Sequence, residues 1–168
     1  MSYAELFCQS HFSFLRSASG PQELVQQAAA LGYEALALTD ECSVAGIVRA
    51  YRQINEQALN IKLIVGSYFK LDKLELVLLC PDKAAYAELC RVISNARRRS
   101  TKGEYCLTEW DLMSLQHCLL LWLPSGDSDS DTHWANWLQK YHSERLWLAL
   151  RRELSHNEAA FNHYCRQL

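Results

Sequence analysis

Two adjacent carboxylates, Asp40 and Glu41, close the apolar run EALALTD and lead into CSVAG. At the end of a strand, such a pair can hold a divalent cation through hard oxygen ligands. The plainer reading, which the spacing favours, is that one of them caps the helix that follows, whose first turn welcomes negative charge. Glu75, early in LELVLLC, is a third carboxylate within reach of the same role. In AELFCQSHFSF the two-residue repeat of a strand puts Phe7, Gln9 and His11 on one face, and only His11 is an effective metal ligand.

Other candidates are weaker. The run DSDSD, Asp127 to Asp131, resembles a calcium loop, but an EF-hand needs Gly at its sixth position and Glu at its twelfth; Thr132 and Leu138 stand there. A solvated loop with Asp131 capping the next helix is the better account. Arg97, Arg98 and Arg99 in ARRRSTK fall at a helix C-terminus, where cations complement the dipole; contact with phosphate or a partner is the sharper alternative. His117, His133, His142, His156 and His163 show no metal-ligand spacing. No Gly-rich phosphate loop, Gly-x-Ser-x-Gly elbow or His-Glu-x-x-His motif is present.

The elements that must position these residues alternate. AELFC, EALALTD, KLIVGSYF, LELVLLC, CLLLWLP and RLWLALR read as strands, and the second and fourth are near-continuously apolar, as parallel strands covered on both sides are. Between them lie segments of helical period. Ser19 to Gly32 has Ser19 as N-cap, Pro21 in its first turn and Gly32 past its end. Val44, Ile47, Val48, Tyr51 and Ile54 form one stripe, and Tyr86, Leu89, Cys90, Ile93 and Ala96 another, with Asp82 as cap. TEWD, 108–111, fits a capping box. HWANWLQKYH and SHNEAAFNHYCRQL supply the last two helices. A β-α unit repeated five or six times predicts an α/β fold with a parallel sheet or barrel.

Composition sets limits. The 168 residues suit one domain, and 49% hydrophobic with 21% charged content is that of a globular protein. With 17 Lys and Arg against 19 Asp and Glu, net charge −2, the chain as a whole is not built to neutralise nucleic acid. No signal peptide or membrane-length apolar run is visible. Seven cysteines without a Cys-x-x-Cys pair read as reduced, buried small residues of a cytoplasmic protein.

AELFCQSHFSFLRSAS, LVQQAAALGYEALALTDECSVAGIVRAY, IKLIVGSYF and LVLLCPDKAAYAELCRVIS together resemble the N-terminal PHP domain of bacterial C-family DNA polymerases. ALTDECSVAG, FSFLR and ERLWLALRREL are most similar to the error-prone, translesion type of alpha subunit. The resemblance spans nearly all of residues 1–168, read as a single domain. It implies a distorted, TIM-like β-α barrel, a cytoplasmic location, a role in replication and translesion repair, and no membrane. It also implies partners: the remainder of the polymerase alpha subunit, DNA through that parent protein, and other mutagenesis or replication proteins.

The family's barrel mouth binds metal through His-x-His, Asp-His, a Glu after a Gly, and a His before an apolar run. Carried onto this sequence, these fall on Phe7 and Gln9, on Asp40 and Glu41, on Tyr68, and on Glu75. Only Asp40 keeps the family's residue. Phenylalanine cannot ligate, glutamine is a weak neutral ligand and a phenol is neutral near pH 7. His11 lies two residues beyond the matching register. Asp40, Glu41 and Glu75 would therefore hold magnesium, manganese or calcium weakly, if any metal at all, and the expectation is a relic without a cofactor. The chain also reaches Leu168 after six predicted strands, whereas the family's barrel continues, so the barrel is expected to be incomplete. Either a piece of a longer polymerase or a shortened gene product would end so, and an open last strand invites dimerisation. The leading expectation is a non-catalytic scaffold. The alternative is a metal-dependent phosphoesterase, a pyrophosphatase or 3′-5′ exonuclease, using Asp40, Glu41 and Glu75. A third is an interaction module that uses Arg97 to Arg99.

Overall fold

Long apolar runs bounded by turn residues make central strands, and here they assemble into one mixed sheet. The computed structural model describes residues 3–151 and 158–168. Three strands, β1 (Ala4–Cys8), β2 (Ala35–Leu38) and β3 (Lys62–Leu71), lie side by side and parallel. The helices α1 (Pro21–Ala30) and α2 (Ile47–Glu56) make the crossovers between them. Pro21 opens α1 and Gly32, at φ +76°, stands just past its end. The N-cap is Gly20 and not Ser19, because Glu23 reaches back to accept the Gly20 N–H at 2.8 Å.

The alternation then breaks. β4 (Leu74–Cys80) runs antiparallel to β3, with Leu71 opposite Leu74, so Asp72 and Lys73 alone form the turn. Asp72 takes the left-handed conformation, φ +51°, which Asp tolerates better than most residues. A parallel crossover needs about a dozen residues or more, and only two are available here. The regular β-α repeat expected from the sequence is therefore corrected to a hairpin at this point. β5 (Leu119–Leu123) is again antiparallel to β4, and β6 (Leu146–Leu148) is parallel to β5. The order β1-β2-β3-β4-β5-β6 makes a curled, incomplete β-α barrel with β1 and β6 at its edges.

Helices cover the outer face in two groups. Val25, Ala28 and Ala50 of α1 and α2 pack on Leu36 and Leu38. Ala85, Leu89, Val92 and Ala96 of α3 (Lys83–Arg98) pack on Phe69, Leu76, Leu78 and Leu120, together with α4 (Glu109–Met113) and α5 (Ser128–His142). Tyr68, Val77, Leu79, Leu121 and Leu123 fill the inner face with Phe7 beside them. Gly66 lets the strands close there: a Cβ would fall 2.8 Å from both Leu79 Cδ2 and the Leu78 carbonyl.

Two predicted stripes are only half buried. Val48 and Tyr51 are 64% and 59% exposed, and Tyr86 is exposed too. The hairpin supplies no helix between β3 and β4, and α2 packs chiefly on α1 and β3, so its other flank faces solvent. Asp82 caps α3, accepting from the Ala85 N–H at 2.8 Å, and Asp111 closes the capping box on Thr108 at 3.0 Å. Asp131, in contrast, is not a cap. Asp127 is, accepting from Ser130 N–H at 3.0 Å, so DSDSD is the first turn of α5 and not a loop. The last helix, α6, covers Glu158–Cys165; the predicted start of that helix, 155–157, and His156 lie outside the described residues. Among the described residues, all seven cysteines are free, with Cys106 exposed against expectation, and no helix is long and apolar enough to cross a membrane.

Candidate functional site

The carboxylates singled out in the sequence meet at one rim of the sheet. Asp40 and Glu41 follow β2, and Tyr68 sits late in β3, bridged to Glu41. Glu75 reaches the same rim from the first turn of a reversed strand: β4 enters where β3 and β5 end, with Glu75 opposite Lys70 and Leu123. Glu75 is thus at the start of its strand, as its place early in LELVLLC implies, and the hairpin is what brings that start to the rim where β3 ends.

Asp40 is 1% exposed and its carboxylate is fully engaged. Oδ1 accepts from the Ser10 N–H at 2.7 Å and the Ser13 hydroxyl at 2.8 Å; Oδ2 accepts from the Ser10 hydroxyl at 2.8 Å. Three donors satisfy a group whose burial without partners would cost far more than that of a neutral amide or hydroxyl. Gly46 keeps the pocket open, since a Cβ there would lie 3.0 Å from Asp40 Oδ2. The backbone joins in: Ser67 Oγ donates to the Asp40 carbonyl at 2.7 Å, and the Glu41 N–H donates to Ser13 Oγ at 2.9 Å. Neither Asp40 nor Glu41 caps α2, whose N-cap is Gly46 without a side-chain bond.

Glu41 pairs with Arg16 at 3.0 Å and accepts from the Tyr105 hydroxyl at 2.9 Å. Glu75 pairs with Lys70 at 2.8 Å. Burial opposes the charge of Glu75, but Lys70 and a hydrogen bond from Tyr68 outweigh it and hold the carboxyl below its ordinary value. The Tyr68 ring stacks obliquely on Phe7 at 5.4 Å, with Arg16 and Lys70 over it at 5.8 and 5.9 Å. Burial, then the neighbouring carboxylates, push the phenols of Tyr68 and Tyr105 well above their ordinary values, so both stay protonated donors.

The remaining candidates scatter. Gln9 turns its amide inward, and Nε2 is buried without a partner. The His11 imidazole is exposed and lies against Gly20, away from the three carboxylates. Arg97 is a clamp: its Nε and Nη2 donate to the Cys42 carbonyl at 3.3 and 3.2 Å, and Nη1 to the Gly103 and Glu104 carbonyls at 3.3 and 3.2 Å. Arg99 forms a bidentate pair with buried Asp111. Only Arg98 of the three points to solvent without a partner among the described residues. Among those residues no group of three or more His, Cys, Asp or Glu is disposed to hold a metal.

Sequence reasoning missed the groups that complete this rim: Ser10, Ser13, Ser67, Arg16, Lys70 and Tyr105. Ser10 and Ser13 lie in the quoted QSHFS stretch, yet their roles show only when Asp40, 30 and 27 residues away, is brought beside them.

Comparison with known proteins fits this architecture. The PHP domain family model matches residues 5–162. The chain is similar to the error-prone DNA polymerase of Vibrio vulnificus strain YJ016, 59% identical over 169 residues that cover 100% of this chain and 16% of that protein. It is also similar to the error-prone DNA polymerase of Teredinibacter turnerae, 50% identical over 160 residues, 94% of this chain and 15% of that one. The chain spans less than a fifth of the length of these relatives. Among solved structures, an amidohydrolase from Chromobacterium violaceum with bound sulfate and no metal aligns with a TM-score of 0.52 and 13% identity, covering 84% of this chain and 74% of the other, a likeness of fold alone. With its half-barrel, its rim of carboxylates and a match over nearly its whole length, the chain belongs to the PHP domain family.

Proposed function

We propose that this chain serves an error-prone DNA polymerase as a scaffold domain, supporting the polymerase part of a longer protein in replication and translesion repair, and that it does no hydrolysis of its own. On this reading its partners are the remainder of the alpha subunit and, through it, DNA, and it works in the cytoplasm.

The observation that supports this is the condition of Asp40, the one position that keeps the family's ligand. Its carboxylate is consumed by Ser10 and Ser13. Beside it, Arg16 and Lys70 neutralise Glu41 and Glu75, the job a cation would do. A divalent ion there would have to displace three hydrogen bonds and open two ion pairs. Phe7, Gln9 and Tyr68 offer it no anionic ligand in return, so the residues present do not fit a metal.

Isothermal titration of the chain with manganese and with zinc tests this, run beside assays on pyrophosphate and a model phosphodiester. The expected result is no stoichiometric uptake in the micromolar range and no turnover. Tight uptake of manganese that Asp40→Asn removes, or hydrolysis that Asp40→Ala abolishes, would hand the site to the phosphoesterase reading.

A further inference from the structure

We infer that the outer face of α3 is a contact surface for single-stranded DNA. The chain is acidic overall, yet α3 carries Lys83, Arg91, Arg97 and Arg98 against one carboxylate, Glu88. That carboxylate is turned inward, where both oxygens accept backbone N–H groups of Gln116, His117 and Cys118 at 2.9–3.2 Å. The helical repeat puts Lys83, Ala87, Arg91, Ser94 and Arg98 in one line, opposite the buried Leu89, Val92 and Ala96. The line is about 22 Å long at helical rise, all five residues are exposed, and it contains no acid. Arg91 and Arg98 have no partner among the described residues, so binding a phosphate there would break no ion pair.

A shallow groove of about 500 Å³ runs beside this line, floored by Ala84, Ala87 and Glu88, whose carboxylate is taken up by the backbone, and walled by Arg91, Ser114, Gln116 and His117. Trp110 lies one turn before Ser114 on α4 and is 76% exposed. A bare indole one turn from the groove wall at Ser114, together with the unpaired guanidinium groups of α3, suits unpaired bases, which stack on aromatic faces while cations follow the phosphates. An acidic protein segment would use the cations and leave the indole idle. The flanking acids are Glu109, exposed next to Trp110, and Asp82, exposed beside Lys83 and engaged as the α3 cap.

This surface lies on the helix-covered face, so it stands apart from the rim that carries Asp40. Failure of the inference would leave the scaffold reading untouched, because the metal titration probes other residues.

Fluorescence anisotropy of a labelled oligothymidine with the chain, across a salt series, is the test. Binding should weaken linearly with the logarithm of salt, and Arg91→Ala with Arg98→Ala should reduce that slope by about 1.4, two single-strand phosphate contacts. Trp110→Ala should weaken binding between about fivefold and about 150-fold, as loss of base stacking does. Lys62→Ala, which removes an exposed cation elsewhere, should change little. No binding at low salt would overturn the inference. So would a loss that Lys62→Ala reproduces, indifference to Trp110→Ala, or capture of a polyglutamate peptide in place of the oligonucleotide.

Discussion

Asp40 and Asp131 are the same device built twice. Each is 1% exposed and gathers a serine's N–H and hydroxyl onto one carboxylate, Asp40 just past the end of β2 and Asp131 in the first turn of α5. Asp131 accepts from the Ser125 N–H and hydroxyl at 2.9 Å, the Gly126 N–H at 2.8 Å and the Tyr164 hydroxyl at 2.9 Å. One of the pair stands where the sequence reading expects a metal ligand and the other does not, yet their surroundings are alike. The lesson is that anchoring a loop is by itself enough to account for a buried aspartate at a strand's end. They differ in the donors: Ser10 and Ser13 are buried, whereas Ser125 and Gly126 are exposed and can turn to water.

That difference sets the size of the mutational effects. Asp40→Ala strands three buried donors and should cost about 4 kcal/mol in urea unfolding, near the upper end for one substitution. Asp131→Ala should cost about half as much, on the order of 2 kcal/mol, because solvent repairs part of the loss. Equal losses would break the comparison. Tyr164→Phe removes one bond to Asp131 and ties α6 less firmly; about 1 kcal/mol is expected by thermal melting. Acid gives the smallest effect. The carboxyl of Glu75 is lowered from its ordinary 4.5, so its stabilisation is complete above that value and drains away as pH falls through its folded-state value. A urea midpoint followed from about pH 6 to pH 3 should fall, and Glu75→Gln should flatten part of the decline.

Helix ends are the most legible feature of the sequence, since their signals are local. Gly32, Asp82 and the Thr108–Asp111 box each act within a few residues of themselves. Asp131 misleads because DSDSD offers three aspartates at cap spacing, and only the donors of Ser125, Gly126 and Tyr164 that gather on buried Asp131 decide between them. The hairpin is hidden by the rhythm of the chain: KLIVGSYF and LELVLLC both read as strands, but the four residues between them leave no room for the helix the rhythm implies. At the rim, the positions of Asp40, Glu41 and Glu75 are legible, and their partners are not. Tyr105 meets Glu41 across 64 residues of sequence, and no local pattern announces such a bond.

The two-residue turn at Asp72 and Lys73 also bears on the order in which the chain assembles. β3 pairs with β4 over seven residue pairs, closing the shortest loop in the sheet, and short loops close fastest. β1 and β2 must instead wait for helical crossovers before their edges meet. The middle hairpin is therefore expected to form before the parallel pairs on either side of it, an order that pulse-labelled hydrogen exchange during refolding would check.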